Sequence, residues 1–167
     1  MSEQKDAKHA AHDRLIRRLA DQADDVRRLT RGLDEGPLTN RTIPDKWSLK
    51  ELVGHLWRTQ QVFEGRLLAM LKQDNPALAS WAPDNDPDFD QMLRSSAREV
   101  IEGYGAARKA LVDQLSALSA ADWHRKGRHP EHPLYDVHFM IEYLAHHEAH
   151  HIYQMYQRRS PLGKIPH

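Results

Sequence analysis

The last long segment of the chain carries an apolar stripe that runs into histidine. Val137, Met140 and Leu144 follow at three- and four-residue steps, and the same steps continue to His147, His151 and Gln154. That period marks one face of a helix turned toward a core. The fold must therefore bury a helix whose inward side is part hydrocarbon and part imidazole. Four histidines fall within the six residues from His146 to His151. Both His146 with His150 and His147 with His151 have the i, i+4 spacing that stacks two side chains about 6 Å apart. The His146 pair extends from Phe139 and Tyr143, a stripe about 100° away and less uniformly apolar. His147 and His151 are thus the expected inward pair. Neutral imidazoles are costly to bury without partners, and a divalent ion would satisfy both rings. The plain alternative is a polar or surface histidine cluster, and spacing alone leaves it open.

Three further segments share the helical period. From Ala7 to Arg31, Leu15, Leu19, Val26 and Leu29 form one stripe, with Gly32 placed to end the helix and residues 1–6 expected to fray. Its arginines alternate with Asp13, Asp21, Asp24 and Asp25, which reads as a solvated, salt-bridged face rather than a basic patch. The second helix has the clearest start: Ser48 and Glu51 have capping-box spacing, with Trp47 and Leu52 placed as a hydrophobic staple. It is expected to run to Leu71, burying Leu49, Leu52, Leu56, Phe63, Leu67 and Met70, with His55 on the inward side. After a loop over 72–88 rich in proline, a third helix is expected from Phe89 to Leu118, weakened in its middle by Gly103 and Gly105. The fourth is expected from Leu134 to Arg159. No strand-like alternation, internal repeat, GxGxxG, P-loop or GxSxG pattern is present. The expected fold is an all-α four-helix bundle in a single domain spanning 1–167.

His55 is the third candidate ligand, although a lone histidine on an apolar face is more often a core residue. It lies seven residues past its cap, about 10 Å along the helix, and His151 lies eight residues before the end of its own, about 12 Å. The rings meet most easily if helices 2 and 4 are antiparallel. A simple up-down-up-down order makes them parallel, so a crossover is expected, with the long 72–88 loop as its place.

Composition narrows the chemistry. Lys plus Arg equals Asp plus Glu at 24 each, giving no field that points to nucleic acid or an anionic membrane. Absence of cysteine excludes disulfides, thiolate ligands and a cysteine nucleophile. No apolar run approaches the ~20 residues that span a bilayer, and the polar start MSEQKDAKHA fits an intracellular, cytoplasmic protein. Of 12 histidines, eight lie between His124 and His151; His9, His12 and His167 are expected at the termini or facing solvent.

Three imidazoles would leave a zinc or nickel ion its full charge and an open position, the arrangement of a catalytic rather than a structural site. Gln154, one turn past His151, is placed to hydrogen-bond a ligand or the substrate. His147, Glu148 and His151 also spell HExxH, in which a glutamate is the general base. No acidic residue follows Glu148, and Gln154 and Gln157 stand where the longer motif needs glycine and histidine, so a peptidase is disfavoured.

WSLKELVGHL (Trp47 to Leu56), HHEAHHIYQM (His146 to Met155) and GRHPEHPLYDV between them resemble, in this order, the second-helix motif, the fourth-helix HxxxHxxQ motif and the preceding connection of the DinB/YfiT-like superfamily. The resemblance implies a four-helix bundle, commonly homodimeric, with a divalent metal, often zinc or nickel, on three histidines that correspond to His55, His147 and His151. Members include S-transferases that use bacillithiol, mycothiol or glutathione, related domains in thiol-histidine biosynthesis, and proteins of unassigned activity. Where the family often has Arg-Gly before its final glutamine, this chain has Ile152 and Tyr153, which would reshape the pocket. The leading expectation is a metal-dependent enzyme that activates a small thiol for transfer to a small-molecule electrophile, in detoxification or stress response. Alternatives are metal-dependent hydrolysis, with Glu148 or His129 as proton carrier, and a non-catalytic metal-binding protein in which His146, His150 or His129 closes the site.

Overall fold

The computed structural model describes residues 2–167, with side chains from His9 onward. Its elements are α1 (Ser2–Thr30), α2 (Glu35–Thr39), α3 (Leu49–Lys72), α4 (Pro87–Met92), α5 (Ala97–Ser116), a 3-10 turn (Asp122–His124), α6 (Val137–Arg159) and a closing 3-10 turn (Ser160–Leu162). The long helices α1, α3, α5 and α6 make a four-helix bundle, and the described residues contain no strand, only isolated bridges of Ala77 with Arg128 and of Lys126 with Asp136. Of the start expected to fray, Met1 lies outside the described residues and the backbone is helical from Ser2. Gly32, with φ +75°, makes the left-handed turn that follows α1.

Capping sets the helix starts. Ser48 Oγ accepts the Glu51 N–H (3.1 Å) while Glu51 Oε2 accepts the Ser48 N–H (2.8 Å), closing the box at the head of α3. Ser96 and Glu99 make an equal box, with bonds of 3.2 and 2.7 Å, and the Glu35 carboxylate accepts the Ala97 N–H from across the fold (2.8 Å). These caps divide the single third helix expected from Phe89 to Leu118 into α4 and α5. The Asp136 carboxylate accepts the Phe139 N–H (2.8 Å), so α6 starts at Val137 rather than Leu134, which is 86% exposed. Gly103 sits where a Cβ would come 2.2 Å from the Trp57 indole. The residue that weakens the helix by propensity is therefore what lets α3 and α5 approach.

Contacts between side chains give the helix directions. His55 meets His147, Phe63 stacks on Tyr143, and Arg66 reaches Tyr135, so α3 and α6 run in opposite senses. Trp57 packs on Gly103 and Gln60 bonds Arg108, so α3 and α5 run in the same sense, and the 73–96 connection carries the chain back between them. His12 meets His138 and Arg18 meets His146, which makes α1 parallel to α6.

The core is two apolar clusters with a polar layer between. One holds Leu15, Leu19, Phe63, Leu67, Leu111 and Leu144; the other holds Val26, Leu29, Leu52, Leu56, Val100 and Met155. At the level between them every long helix contributes buried polar side chains, among them Gln22, Gln60, Arg108 and Glu148. Arg108 binds both carboxylate oxygens of Glu148 (2.6 and 2.5 Å), Gln60 Oε1 (2.8 Å) and the Leu19 carbonyl (3.0 Å); Tyr104 donates to Glu148 (2.9 Å) and Gln22 to the Ala145 carbonyl (2.8 Å). No described helix is long and apolar enough to cross a membrane.

Removing one partner of a buried ion pair strands the other charge. Arg108→Met is expected to lower unfolding stability by about 3–5 kcal/mol. Arg108→Met with Glu148→Leu should recover most of that loss. Urea unfolding of the two variants checks both expectations; equal losses would mean that the pair is not the governing contact.

Candidate metal centre

His55 lies two turns into α3, and His147 and His151 lie one turn apart on the facing side of α6. The antiparallel packing brings all three together: His147 Nε2 is 3.2 Å from His55 Nε2 and 3.1 Å from His151 Nε2, and a ligand atom from each lies within 4.8 Å of the others. Around a tetrahedral ion with bonds of about 2.0–2.1 Å, ligand nitrogens stand about 3.3 Å apart. The two pairs that include His147 are already at that spacing. Among the described residues no other three His, Asp or Glu side chains converge so closely.

Burial keeps the rings uncharged. His55 is 3% exposed. Desolvation, with the facing rings of His151 and His147, holds it down at about 3. His147 is held at about 4 by desolvation, then by His151 and His150. His151 is lowered mainly by desolvation, which the hydrogen bond to Gln154 opposes. That bond also fixes a tautomer: His151 Nδ1–H donates to Gln154 Oε1 (2.8 Å), leaving the Nε2 lone pair facing the triad. The Gln154 amide donates in turn to His150 Nε2 (3.3 Å). The Nδ1 atoms of His55 and His147 have no partner, so packing orients those two rings. Trp47 lies against His55 at 4.9 Å and His151 at 6.4 Å, and Trp81 and Phe89 each lie 6.3 Å from His55.

The triad borders a cavity of about 330 Å³. Its roof is made from two connections stitched by backbone bonds, Leu78 N–H to the Arg128 carbonyl (2.9 Å) and Arg128 N–H to the Pro76 carbonyl (2.8 Å). Trp81 and Pro83 come from one connection, and His129, Glu131 and His132 from the other. His129 Nδ1 accepts the Glu131 N–H (3.2 Å), so the neutral ring carries its proton on Nε2. Desolvation, then Arg66 and His132, lower its pKa.

The structure thus brings together His55, His147 and His151 with Gln154 behind His151, and lines their cavity with His129. Glu148 is elsewhere. It is fully buried, paired with Arg108 and hydrogen-bonded by Tyr104, both oxygens engaged, and does not line the cavity, so the proton-carrier role expected of it in hydrolysis does not fit its position. His146 and His150 are exposed, as their stripe suggests. Ile152 and Tyr153 do not line the cavity, and Tyr153 is 63% exposed. His12, expected to face solvent, is buried instead. It stacks on Trp123 at 4.4 Å, and desolvation with His138 nearby lowers it to about 4. Sequence reasoning did not single out Trp81, Arg66 or Tyr135, which the cavity needs; Trp81 sits in a stretch legible only as loop.

Two expectations follow from the geometry. In metal-free protein, His55 and His147 stay neutral down to about 3 and 4, whereas in the unfolded chain they take up protons near their ordinary value of 6.5. The unfolded state then binds more protons below pH 6.5, so stability is full above that pH and falls toward pH 4, by up to about 1.4 kcal/mol per pH unit for each such group. Chemical unfolding of chelator-treated protein across this range is the check, and a flat profile would contradict it. Gln154→Leu removes the acceptor that sets the His151 tautomer. It should weaken metal affinity about 10- to 100-fold without unfolding the protein, as measured by competition with a chromogenic chelator.

The sequence matches the model of the DinB superfamily over residues 18–155. No curated protein matches it. Among solved structures it is similar to YfiT from Bacillus subtilis, described as a probable metal-dependent hydrolase with an unusual four-helix bundle topology. The TM-score is 0.69 at 15% identity, covering 89% of this chain and 87% of that one. With the family matched over most of its length and the helical bundle in place, the chain belongs to the DinB superfamily.

Proposed function

We propose that the chain is a metal-dependent enzyme, a hydrolase acting on a small molecule, with zinc or nickel held by His55, His147 and His151. The observation that carries this reading is the convergence of three neutral imidazoles beside a cavity of about 330 Å³. Structural zinc sites usually close with four protein ligands, and among the described residues three converge here. A divalent ion, when bound, supplies Lewis-acid charge that lowers the pKa of a water or thiol into the neutral range. The three uncharged donors take nothing from that charge.

The other roles belong to the chain. Gln154 holds His151 in the tautomer that turns Nε2 inward. Trp47, Trp81 and Phe89 exclude water around His55 and fix its plane. His129 presents Nε2–H in the cavity, where it can donate to a developing negative charge or to a leaving group. The fold shared with a probable metal-dependent hydrolase supports hydrolysis as the first reading. Transfer of a low-molecular-weight thiol is the second, favoured by the family resemblance; with no cysteine in the chain, the sulfur would come from the cosubstrate.

Metal analysis of tag-free protein, wild type beside His151→Ala, tests the foundation: one zinc or nickel per chain is expected in the first and none in the second. Hydrolysis of simple esters or amides that is lost on chelation and returns with metal supports the first reading. Turnover of small thiols with monochlorobimane, without hydrolysis, replaces it with the second. Absence of metal from the wild type after reconstitution overturns both.

A further inference from the structure

Arg66 stands eleven residues beyond His55 on α3, about three turns and so on the same face of the helix. It lines the cavity that the triad borders. Its guanidinium leans over the Phe63 ring, 5.2 Å from the centroid, in the direction of the triad, as helical side chains tilt toward the N-terminus. One N–H donates to the Ala79 carbonyl (2.8 Å) and another to the Tyr135 hydroxyl (3.4 Å). A guanidinium has five N–H donors, so three are left. None of the ion pairs among the described residues includes Arg66. Glu131, the one carboxylate lining the cavity, accepts instead from Ser80 Oγ (3.1 Å). Tyr135 is buried, accepts from Arg66, and keeps its own proton to donate.

We propose that Arg66 and the Tyr135 hydroxyl form an anion subsite at the end of the cavity away from the histidine triad, so that the substrate carries a carboxylate at one end and its reacting group at the other. An arginine with free donors, held in place at a cavity wall and in no ion pair with the cavity's one acid, is suited to planar carboxylate recognition. Phe63, the ring beneath the guanidinium, lies eight residues from His55, about 12 Å along α3. The two functional ends of the substrate are therefore separated by a chain of several atoms. Burial raises the Tyr135 pKa, which the positive charge of Arg66 opposes, and burial with the same charge lowers that of His129. This inference rests on the metal-site reading.

The test uses cobalt-substituted protein and bifunctional probes, mercaptoalkanoic acids from mercaptoacetate to mercapto-octanoate with their neutral primary amides. Thiolate binding is read from the sulfur-to-cobalt charge-transfer band. The longer acids are expected to bind about tenfold or more tightly than their amides, the preference vanishing for the shortest probe. In Arg66→Gln the acid-to-amide ratio should fall toward one, with cobalt content unchanged. Equal binding of acid and amide to wild type overturns the subsite while leaving the metal site standing. Loss of acid and amide binding by the same factor in Arg66→Gln also overturns it, since it would show Arg66 to be a brace for the roof through Ala79. Failure to load cobalt sinks the metal-site reading itself.

Discussion

The Arg108–Glu148 pair sets the rotation of α6, and the rest of the site depends on that rotation. Successive residues on a helix point about 100° apart. With Glu148 drawn into the bundle centre by two bonds from Arg108 and one from Tyr104, its neighbour His147 is turned toward α3, and His151 follows one turn later. The same guanidinium holds Gln60 of α3 and the backbone of α1, so one side chain references all four long helices. Such a layer adds little net stability over a hydrocarbon equivalent. Its contribution is register: sliding or turning α6 would strand a buried charge.

Around the triad the same economy of charge holds. The rings are neutral because they are buried, and they are buried by aromatic side chains from elements far apart in sequence: Trp47 before α3, Trp81 in the long connection and Phe89 in α4. The nearby carboxylates are engaged elsewhere, Glu148 by Arg108 and Glu131 by the Ser80 hydroxyl. A cation placed among the three nitrogens would meet donors without opposing charge, in surroundings of low polarity where its field reaches further.

Much of this is legible in the chain itself. The four helical stripes, the Ser48 box and the Val137–Met140–Leu144–His147–His151 series follow from local periodicity, and the structure buries Val137, Met140 and Leu144 as that series requires. What escaped is mostly non-local. Ser96 and Glu99 are as good a box as Ser48 and Glu51, yet they lie within a stretch whose apolar period continues through them, and the break was hidden. Glu148 reads as a catalytic glutamate because the partner that claims it, Arg108, is 40 residues away on another helix and looks like any surface arginine in an amphipathic pattern. His12 looks terminal until Trp123 covers it. For Glu148 and His12 a contact across the bundle decided what local sequence could not.

The order of assembly follows from where the ligands sit. His55 and His147 are 92 residues apart, and α6 is the last long helix to leave the ribosome. Until it docks, α1 and α5 can pair and α3 can lie along α5, but that three-helix precursor has an open seam lined by Leu56, Phe63 and a single imidazole. Long-range closure of this kind is slow relative to helix formation, and an exposed apolar seam invites contact with other chains. The full set of three imidazoles therefore exists only once α6 lies against α3. An ion held by all three would join the two helices that are farthest apart in the order of synthesis among those that form the site.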